Sequence, residues 1–276
     1  MRDCIFTNVC HNLDDNTVWW EGLNENPPVN ALNWKGEKWD YTKYDKSDKV
    51  NTSGAHPNSR FTAMAENCPC ISDKFSDPAG VPISAIVFGG RRAKTAPLVY
   101  QSKNWQHGTF VGSIMASETT AAAAGALGVV RRDPMAMLPF CGYNMGEYFA
   151  HWLSMGLKAE NAPKIFHVNW FRTNAEGEFI WPGFGDNLRV LLWILARCEG
   201  KVDAVECEIG YLPKPEDIDV EGLDIAPEVM SELLSVDKAS WIEDLDSIKA
   251  FYAKIGDTMP KELLEELATL EANLKA

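Results

Sequence analysis

The sequence predicts an α/β fold: a mixed central sheet with flanking helices, followed by a helical C-terminal segment. Short apolar runs of strand length, such as residues 82–88 and 164–170, alternate with helix-like stretches in the middle of the chain. Apolar residues then recur at helical spacing in residues 225–276. We expect residues 1–276 to form one functional portion of a protein, ending in this helical segment.

The elements follow in order. Residues up to about 49 are rich in aromatic and turn-forming residues, which indicates short strands and loops, and residues 43–53 and 68–80 are predicted to be exposed loops. Strands are predicted at 82–88, 97–100, 109–114 and 164–170, and helices at 146–155 and 187–198. The last helix is indicated by Asn187 as a possible N-cap and by leucines at helical spacing, namely Leu188, Leu191, Leu192 and Leu195.

Composition and charge limit the class of protein. The net charge of -13 argues against a protein that coats nucleic acid, although a local basic cleft for small anions stays possible. The seven scattered cysteines suggest reduced thiols. No signal peptide and no apolar stretch of about 20 residues is present, so we expect a cytoplasmic protein with no membrane or nucleic-acid partner. The five histidines have no ligand spacing, and no metal site is predicted.

The most informative motif is Phe88-Gly89-Gly90-Arg91-Arg92, at the end of a predicted buried strand. Glycines allow another backbone to approach closely, since they have no Cβ. Two adjacent guanidinium groups repel each other, so this placement suits a phosphate or carboxylate. The chain has no GxxxxGK[ST] phosphate loop.

Three further segments each leave two interpretations open. Asn58 and Arg60, at i and i+2, could share one face and grip an anion, or form a surface turn with a salt-bridged arginine. The small residues 117–125 could be a mobile lid or an alanine-rich helix. Residues 179–187 space aromatics among glycine and proline, so they could sandwich a flat ring, with Asn187 reading its edge, or form a small aromatic core.

These blocks together resemble the GTP-dependent phosphoenolpyruvate carboxykinase family. The matching blocks are His56-Pro57-Asn58-Ser59-Arg60-Phe61, Phe88-Gly89-Gly90-Arg91-Arg92, Gly108-Thr109-Phe110-Val111-Gly112, Ser117-Glu118-Thr119-Thr120-Ala121-Ala122-Ala123, Asp133-Pro134-Met135-Ala136-Met137, His151-Trp152-Leu153-Ser154-Met155, Phe166-His167-Val168-Asn169-Trp170-Phe171 and the segment from Phe179 to Asn187. The resemblance runs from near residue 4 to the C-terminal helices. It implies the C-terminal domain fold of that family and the interconversion of oxaloacetate and GTP with phosphoenolpyruvate, CO₂ and GDP, in gluconeogenesis.

The resemblance also implies roles for particular residues. Asn58 and Arg60 would hold the carboxylate and phosphate end of the substrate, and Arg91 would neutralise charge on the transferring phosphoryl group. All three would contribute to the nucleotide site. The lid would comprise Ser117, Glu118, Thr119, Thr120, Ala121, Ala122 and Ala123. The guanine site would comprise Phe171, Phe179, Phe184, Asn187 and the backbone near Trp170.

The resemblance implies GTP or GDP, Mn²⁺ and Mg²⁺ for a complete, monomeric enzyme. In relatives, the phosphate loop and the Lys, His and Asp ligands of manganese precede the point at which this sequence begins. We therefore expect the chain to require a missing N-terminal half as partner and to be inactive alone. The alternatives are a weak guanine-nucleotide-binding module and a folded fragment without catalysis.

Overall fold

The computed structural model of the protein describes residues 3–24, 26–119 and 128–276. The chain divides into two compact units, with the boundary between Val81 and Pro82. The described residues of the first unit are 3–24 and 26–81, and those of the second are 82–119 and 128–276.

The first unit is built from short antiparallel strands. Its elements are β1 (Ile5–Thr7), β2 (Cys10–Asn12), β3 (Val18–Trp19), β4 (Ala31–Leu32), β5 (Lys38–Trp39), α1 (Lys49–Thr52) and β6 (Arg60–Thr62). Four of the strands form a sheet in the order β3-β2-β4-β5, and β1 pairs separately with β6. The prediction of short strands and loops is therefore confirmed here.

A small aromatic core supports the four-stranded sheet. The rings of Trp19 and Trp39 stack with centroids 5.5 Å apart, beside the buried Cys10 and Ala31. The prediction of an exposed loop over residues 43–53 is wrong at its end, because α1 forms there and Ser53 is buried. The Ser53 hydroxyl donates a hydrogen bond to Glu21, which explains why a polar residue lies inside.

The second unit contains the larger core. Its elements are β7 (Ala85–Gly89), β8 (Val99–Gln101), α2 (Trp105–Ser113), β9 (Ala116–Glu118), β10 (Val130–Arg132), α3 (Met145–Lys158), β11 (Lys164–Val168), α4 (Asn187–Cys198), β12 (Val205–Cys207), β13 (Gly210–Leu212), α5 (Pro227–Leu233), α6 (Lys238–Ile255) and α7 (Lys261–Lys275).

The main sheet is mixed, as the sequence predicts. Its strand order is β12-β13-β8-β11-β7; β11 runs parallel to β7 and antiparallel to β8. Successive residues of β11 enter different cores, since Ile165 packs with α2, α3, α6 and α7, and Phe166 packs with α4 and α5. Helices therefore cover both faces of the sheet. The strand β7 lies at one edge of this order and is only partly buried, which corrects the expectation of a buried strand.

The predicted strand at residues 109–114 is wrong, because residues 109–113 belong to helix α2 and Ile114 is its C-cap. The Asn104 side chain caps the helix by accepting a hydrogen bond from the His107 backbone N–H at 2.9 Å. A Cβ at Gly108 would lie 2.4 Å from the Ile165 side chain, and one at Gly112 would lie 2.7 Å from the Phe88 ring. Two glycines four residues apart thus let the helix lie directly against the sheet, and the β-branched residues between them misled the prediction.

Helix α4 has the predicted bounds, but its orientation differs from what the leucines suggest. Its buried face consists of Val190, Trp193 and Ile194, whereas the four leucines that indicated the helix are all exposed. The residue preceding the helix, Asp186, occupies the N-cap position that we assigned to Asn187. The amide of Asn187 is consequently available for another contact.

A buried ionic cluster attaches α6 to the strands. Asp244 on α6 accepts two hydrogen bonds from Arg92, with N–O distances of 3.1 and 3.2 Å, and forms an ion pair with Arg132 on β10. Glu118 lies 3.7 Å from the Arg92 Nε. Burial opposes ionisation of Asp244, but hydrogen bonds from Arg132 and Arg92 outweigh it and hold the pKa of Asp244 below its ordinary value.

We expect the Asp244→Asn variant to lose about 3 kcal/mol of unfolding free energy, because two buried guanidinium groups then lack their carboxylate. Denaturant unfolding followed by tryptophan fluorescence measures the loss. Since the pKa of Asp244 is lowered in the folded state, its contribution is present at neutral pH and disappears only as the pH falls below about 4. Asp246→Asn, an exposed change on the same helix, is the control. Equal unfolding midpoints for the two variants would contradict this role of the cluster.

Candidate functional site

The turn after β7 brings two backbones together. A Cβ at Gly90 would lie 2.2 Å from the carbonyl oxygen of Ala116 on β9, so only glycine fits there. The next residue, Arg91, receives a hydrogen bond at its carbonyl oxygen from the Glu118 N–H (2.8 Å) and donates its own N–H to the Ser117 hydroxyl (3.1 Å). The backbone of Arg91 is therefore fixed against β9.

The side chains of the two adjacent arginines contact different partners. Arg92 is buried and bound to Asp244 and Thr95, so the structure does not support it as a contact for a bound anion. Arg91 points elsewhere: its Cζ lies 4.2 Å from the centroid of the Phe171 ring, a cation–π contact. The Nε of Arg91 is buried and has no hydrogen-bond partner among the described residues. Arg91 therefore faces the aromatic segment, whereas Asp244, Thr95 and Glu118 surround the guanidinium of Arg92.

The residues predicted as a lid are only partly described. Ser117 and Glu118 lie in β9, which pairs with β10, and Thr119 accepts a hydrogen bond at its carbonyl oxygen from the Gly128 N–H. Thr120, Ala121, Ala122 and Ala123 lie outside the described residues. Glu118 also accepts a hydrogen bond from the Ala93 N–H at 3.0 Å. The described part of the predicted lid thus forms a hairpin arm bound to the Arg91 turn.

A short hairpin brings together two of the aromatic residues predicted to bind a base. The Ile180 N–H donates to the Arg172 carbonyl oxygen at 3.0 Å, and the Asn174 side chain closes the turn by accepting from the Glu178 N–H. As a result Phe171 and Phe179 meet edge to face, with ring centroids 5.8 Å apart.

The third predicted ring, Phe184, stands apart from this pair. It is 99% exposed between Gly183 and Gly185, and it has no ring contact within the described part of the chain. The three rings therefore do not form a closed aromatic core. One face of Phe171 is occupied by Arg91, and Phe184 is open to solvent.

The remaining predicted contacts lie at either end of this aromatic segment. Trp170 is half-buried and packs against the core beneath α4. Asn187 begins α4, and its Oδ1 accepts a hydrogen bond from the buried Trp181 indole N–H at 2.8 Å. The predicted polar edge-reading residue is therefore present beside the hairpin, and its amide orientation is set by a tryptophan.

Sequence reasoning missed the residue that holds these parts together. Asn169, which is 1% exposed, donates to the carbonyl oxygens of Arg92 (2.7 Å) and Ala96 (2.8 Å). Its Oδ1 accepts from the N–H groups of Arg92 and Phe171, both at 3.2 Å. An asparagine directly after the apolar strand β11 was a visible signal, but two of its partners, Arg92 and Ala96, are 77 and 73 residues away in sequence.

In the first unit, the structure brings Asn58 and Arg60 together. The Arg60 Nε donates to the Asn58 Oδ1 at 3.2 Å, and the Asn58 N–H donates to the His56 Nδ1 at 2.9 Å. Both side chains are exposed, and no carboxylate pairs with Arg60 in the part of the chain that the structure describes. The arrangement leaves the remaining donors of Arg60 available to an anion.

Titratable groups near the Arg92 cluster serve packing. Burial, and then repulsion from Arg92, lowers the pKa of His167 to about 4, and its ring stacks on Tyr100 at 5.1 Å.

Within residues 3–24, 26–119 and 128–276, no three His, Cys, Asp or Glu side chains converge as a metal site would require. In the same ranges, no helix is both long and apolar enough to cross a membrane.

Comparison with known proteins identifies the family. Residues 1–273 match the model of the family described as the phosphoenolpyruvate carboxykinase C-terminal P-loop domain. Two similar proteins are named phosphoenolpyruvate carboxykinase [GTP]. The one from Anaeromyxobacter dehalogenans strain 2CP-1 is 48% identical to this chain over 100% of its length. The one from Paenarthrobacter aurescens is 50% identical over 98% of it. A third, from Treponema pallidum strain Nichols, is 49% identical over 99% of it. The chain belongs to this phosphoenolpyruvate carboxykinase family.

The chain spans less than half the length of these relatives. It covers 45% of the Anaeromyxobacter protein, 43% of the Paenarthrobacter protein and 44% of the Treponema protein. The resemblance identified from the sequence blocks is confirmed, and so is the expectation of a mixed α/β C-terminal domain.

The contact between Arg91 and Phe171 is open to a direct test by NMR. We expect the Arg91 Nε–H resonance to lie upfield of free arginine, because a guanidinium over a phenyl face is shielded by the ring current. In Phe171→Leu the resonance should return toward the free position. Phe179→Leu, which removes the neighbouring ring and leaves the one beneath Arg91, is the control. An Arg91 resonance that does not respond to Phe171→Leu would contradict the contact.

Proposed function

We propose that this chain is the nucleotide-binding portion of a GTP-dependent phosphoenolpyruvate carboxykinase. The complete enzyme would interconvert oxaloacetate and GTP with phosphoenolpyruvate, CO₂ and GDP, as a cytoplasmic, monomeric enzyme of gluconeogenesis. The family membership supports this proposal, and so do the names of the relatives. The observation that carries it is the Arg91–Phe171 contact, which sets a cation directly beside an aromatic wall. This combination suits a nucleotide, because a nucleotide joins a flat base to an anionic tail.

The base would lie against the aromatic hairpin. Phe171, Phe179 and the exposed Phe184 would enclose guanine, as the resemblance implies, with Phe184 free to move onto a bound ring. Asn187 and the backbone near Trp170 would hydrogen-bond the edge of the base. Aromatic faces supply affinity for any purine, so the choice of guanine depends on these polar contacts.

Arginines would bind and neutralise the negatively charged reacting groups. Arg91 would neutralise charge that develops on the transferring phosphoryl group, because its backbone is fixed and its buried Nε lacks a partner in the described chain. Asn58 and Arg60 would hold the carboxylate and phosphate end of oxaloacetate or phosphoenolpyruvate. The hairpin arm with Ser117, Glu118 and Thr119 would carry the lid that excludes water from the reaction.

The family resemblance implies Mn²⁺ and Mg²⁺, which bridge and neutralise phosphate oxygens in such reactions. The described residues do not fit a protein-bound metal, since no group of three acidic, histidine or cysteine donors converges. We propose that these ligands and the phosphate loop come from the N-terminal half of such an enzyme, which this chain does not span. That half is therefore the proposed partner of this chain.

On its own, we expect the chain to bind guanine nucleotides weakly and to catalyse no reaction. Two observations favour this second function. The sequence has no GxxxxGK[ST] run, and the chain spans under half the length of its relatives. Base contacts would then remain, while most contacts to the phosphates would be lost.

Titration calorimetry of the purified chain with GDP and with ADP tests the base site. We expect weaker binding of ADP, by roughly ten-fold, because one mismatched hydrogen bond at a base edge costs about 1–2 kcal/mol. Asn187→Ala should reduce that preference, whereas Asn174→Ala, which alters the distal turn of the same hairpin, should preserve it. Equal affinities for GDP and ADP in the unmodified chain would refute the proposed guanine site.

A coupled assay with oxaloacetate, GTP and Mn²⁺ tests the second function. The chain alone should produce no phosphoenolpyruvate, and addition of a separately expressed N-terminal half from one of the relatives should restore production. Turnover by the chain alone would show that the missing half is not required. No turnover by the mixed halves, with both folded and associated, would count against the carboxykinase assignment.

A further inference from the structure

The orientation of the Asn187 amide is fixed by a residue that touches no ligand in the proposed site. The indole N–H of Trp181 donates to the Asn187 Oδ1 at 2.8 Å, and the Trp181 side chain is 2% exposed. An indole nitrogen can only donate a hydrogen bond, so the oxygen end of the amide must face it. The Nδ2 group therefore points away from Trp181.

Both partners in this hydrogen bond are held in place independently. Trp181 belongs to the core cluster beneath α4, with Val190 and Trp193. The Asn187 backbone N–H donates to the Gly183 carbonyl oxygen at 3.2 Å, at the start of α4. In the same first turn of α4, Arg189 donates to the Asp186 carboxylate and to the carbonyl oxygens of Asp219 and Glu221. The amide cannot turn over without leaving a buried indole N–H unpaired.

The fixed orientation distinguishes two purine edges. Guanine presents an acceptor at O6 and a donor at N1, which match the Nδ2 donor and the second lone pair on Oδ1 of Asn187. Adenine presents the reverse pattern, a donor at N6 and an acceptor at N1. Pairing with adenine would require the opposite amide orientation, and Trp181 opposes that rotation.

We propose that Trp181 is a specificity-determining residue: it holds Asn187 in the orientation that accepts guanine and rejects adenine. Trp181 is a positioning residue, since it acts through Asn187. This inference rests on the proposed guanine site and extends it, because the discriminating group lies in the core behind the site.

The variant Trp181→Phe tests the proposal, with GDP and ADP as probes. Phenylalanine retains an aromatic ring in the core and removes the N–H. We expect the ratio of the dissociation constants for ADP and GDP to fall about two- to ten-fold, since one hydrogen bond no longer fixes the amide. Trp193→Phe is the matched control, because Trp193 lies in the same cluster and its indole N–H has no partner among the described residues.

If Trp181→Phe does not fold, replacement of Trp181 by benzothienylalanine provides a second test. Sulfur takes the place of the N–H group, so the shape of the side chain is kept and only the donor is removed. The ratio of the dissociation constants for ADP and GDP should fall by the same two- to ten-fold as in Trp181→Phe. An unchanged ratio in this variant, with guanine preferred by the unmodified chain, would overturn the inference and leave the proposed function intact. No guanine preference in the unmodified chain would overturn both.

A nucleotide-free measurement tests the hydrogen bond itself. In ¹⁵N-labelled chain, the Trp181 indole N–H resonance should shift in Asn187→Ala, because its acceptor is removed. The Trp193 resonance should stay in place. A Trp181 resonance that does not move would overturn the inference, whatever the nucleotide affinities are. The two indole signals are assigned from the Trp181→Phe and Trp193→Phe spectra.

Discussion

The side chain of Asn169 is the constraint on which the proposed nucleotide site depends. Four hydrogen bonds connect it to Arg92, Ala96 and Phe171, and they tie the turn after β7 to the end of β11. Both strand ends carry site residues, since Arg91 follows β7 and Phe171 follows β11. An apolar residue at position 169 would leave several buried backbone groups unpaired, and a charged residue would need a counter-ion. The asparagine amide satisfies donors and acceptors together.

The divergence of Arg91 and Arg92 follows from this constraint. With both backbone polar groups of Arg92 bound to Asn169, its side chain turns inward to Asp244 and anchors α6. The side chain of Arg91 faces Phe171 instead. One arginine therefore stabilises the fold, and its neighbour keeps donors available for a ligand. The buried carboxylate of Asp244 offsets the charge of Arg92 beside Arg91.

Sequence patterns predicted the mixed sheet and most of the helices, because apolar periodicity is a local signal. These patterns failed where tertiary packing determines the secondary structure of a segment. Gly108 and Gly112 allow a helix against the sheet in a segment whose β-branched residues favour a strand. Around the proposed site, the aromatic rings and Arg91 were identifiable as motifs. The partners of Asn169 and the bond between Trp181 and Asn187 were not, because no local pattern states which distant group will lie opposite a side chain.

The central claim is that Asn169 aligns Arg91 with Phe171, and the Asn169→Ala variant tests it most directly. The measured quantity is the Arg91 Nε–H chemical shift, with Asn33→Ala as a control that removes a turn-closing amide in the first unit. The account predicts that Arg91 loses its ring-current shift in Asn169→Ala although Phe171 is unchanged, and keeps it in the control. A full ring-current shift in folded Asn169→Ala would contradict the account, because Arg91 would then find Phe171 without the connection through Asn169.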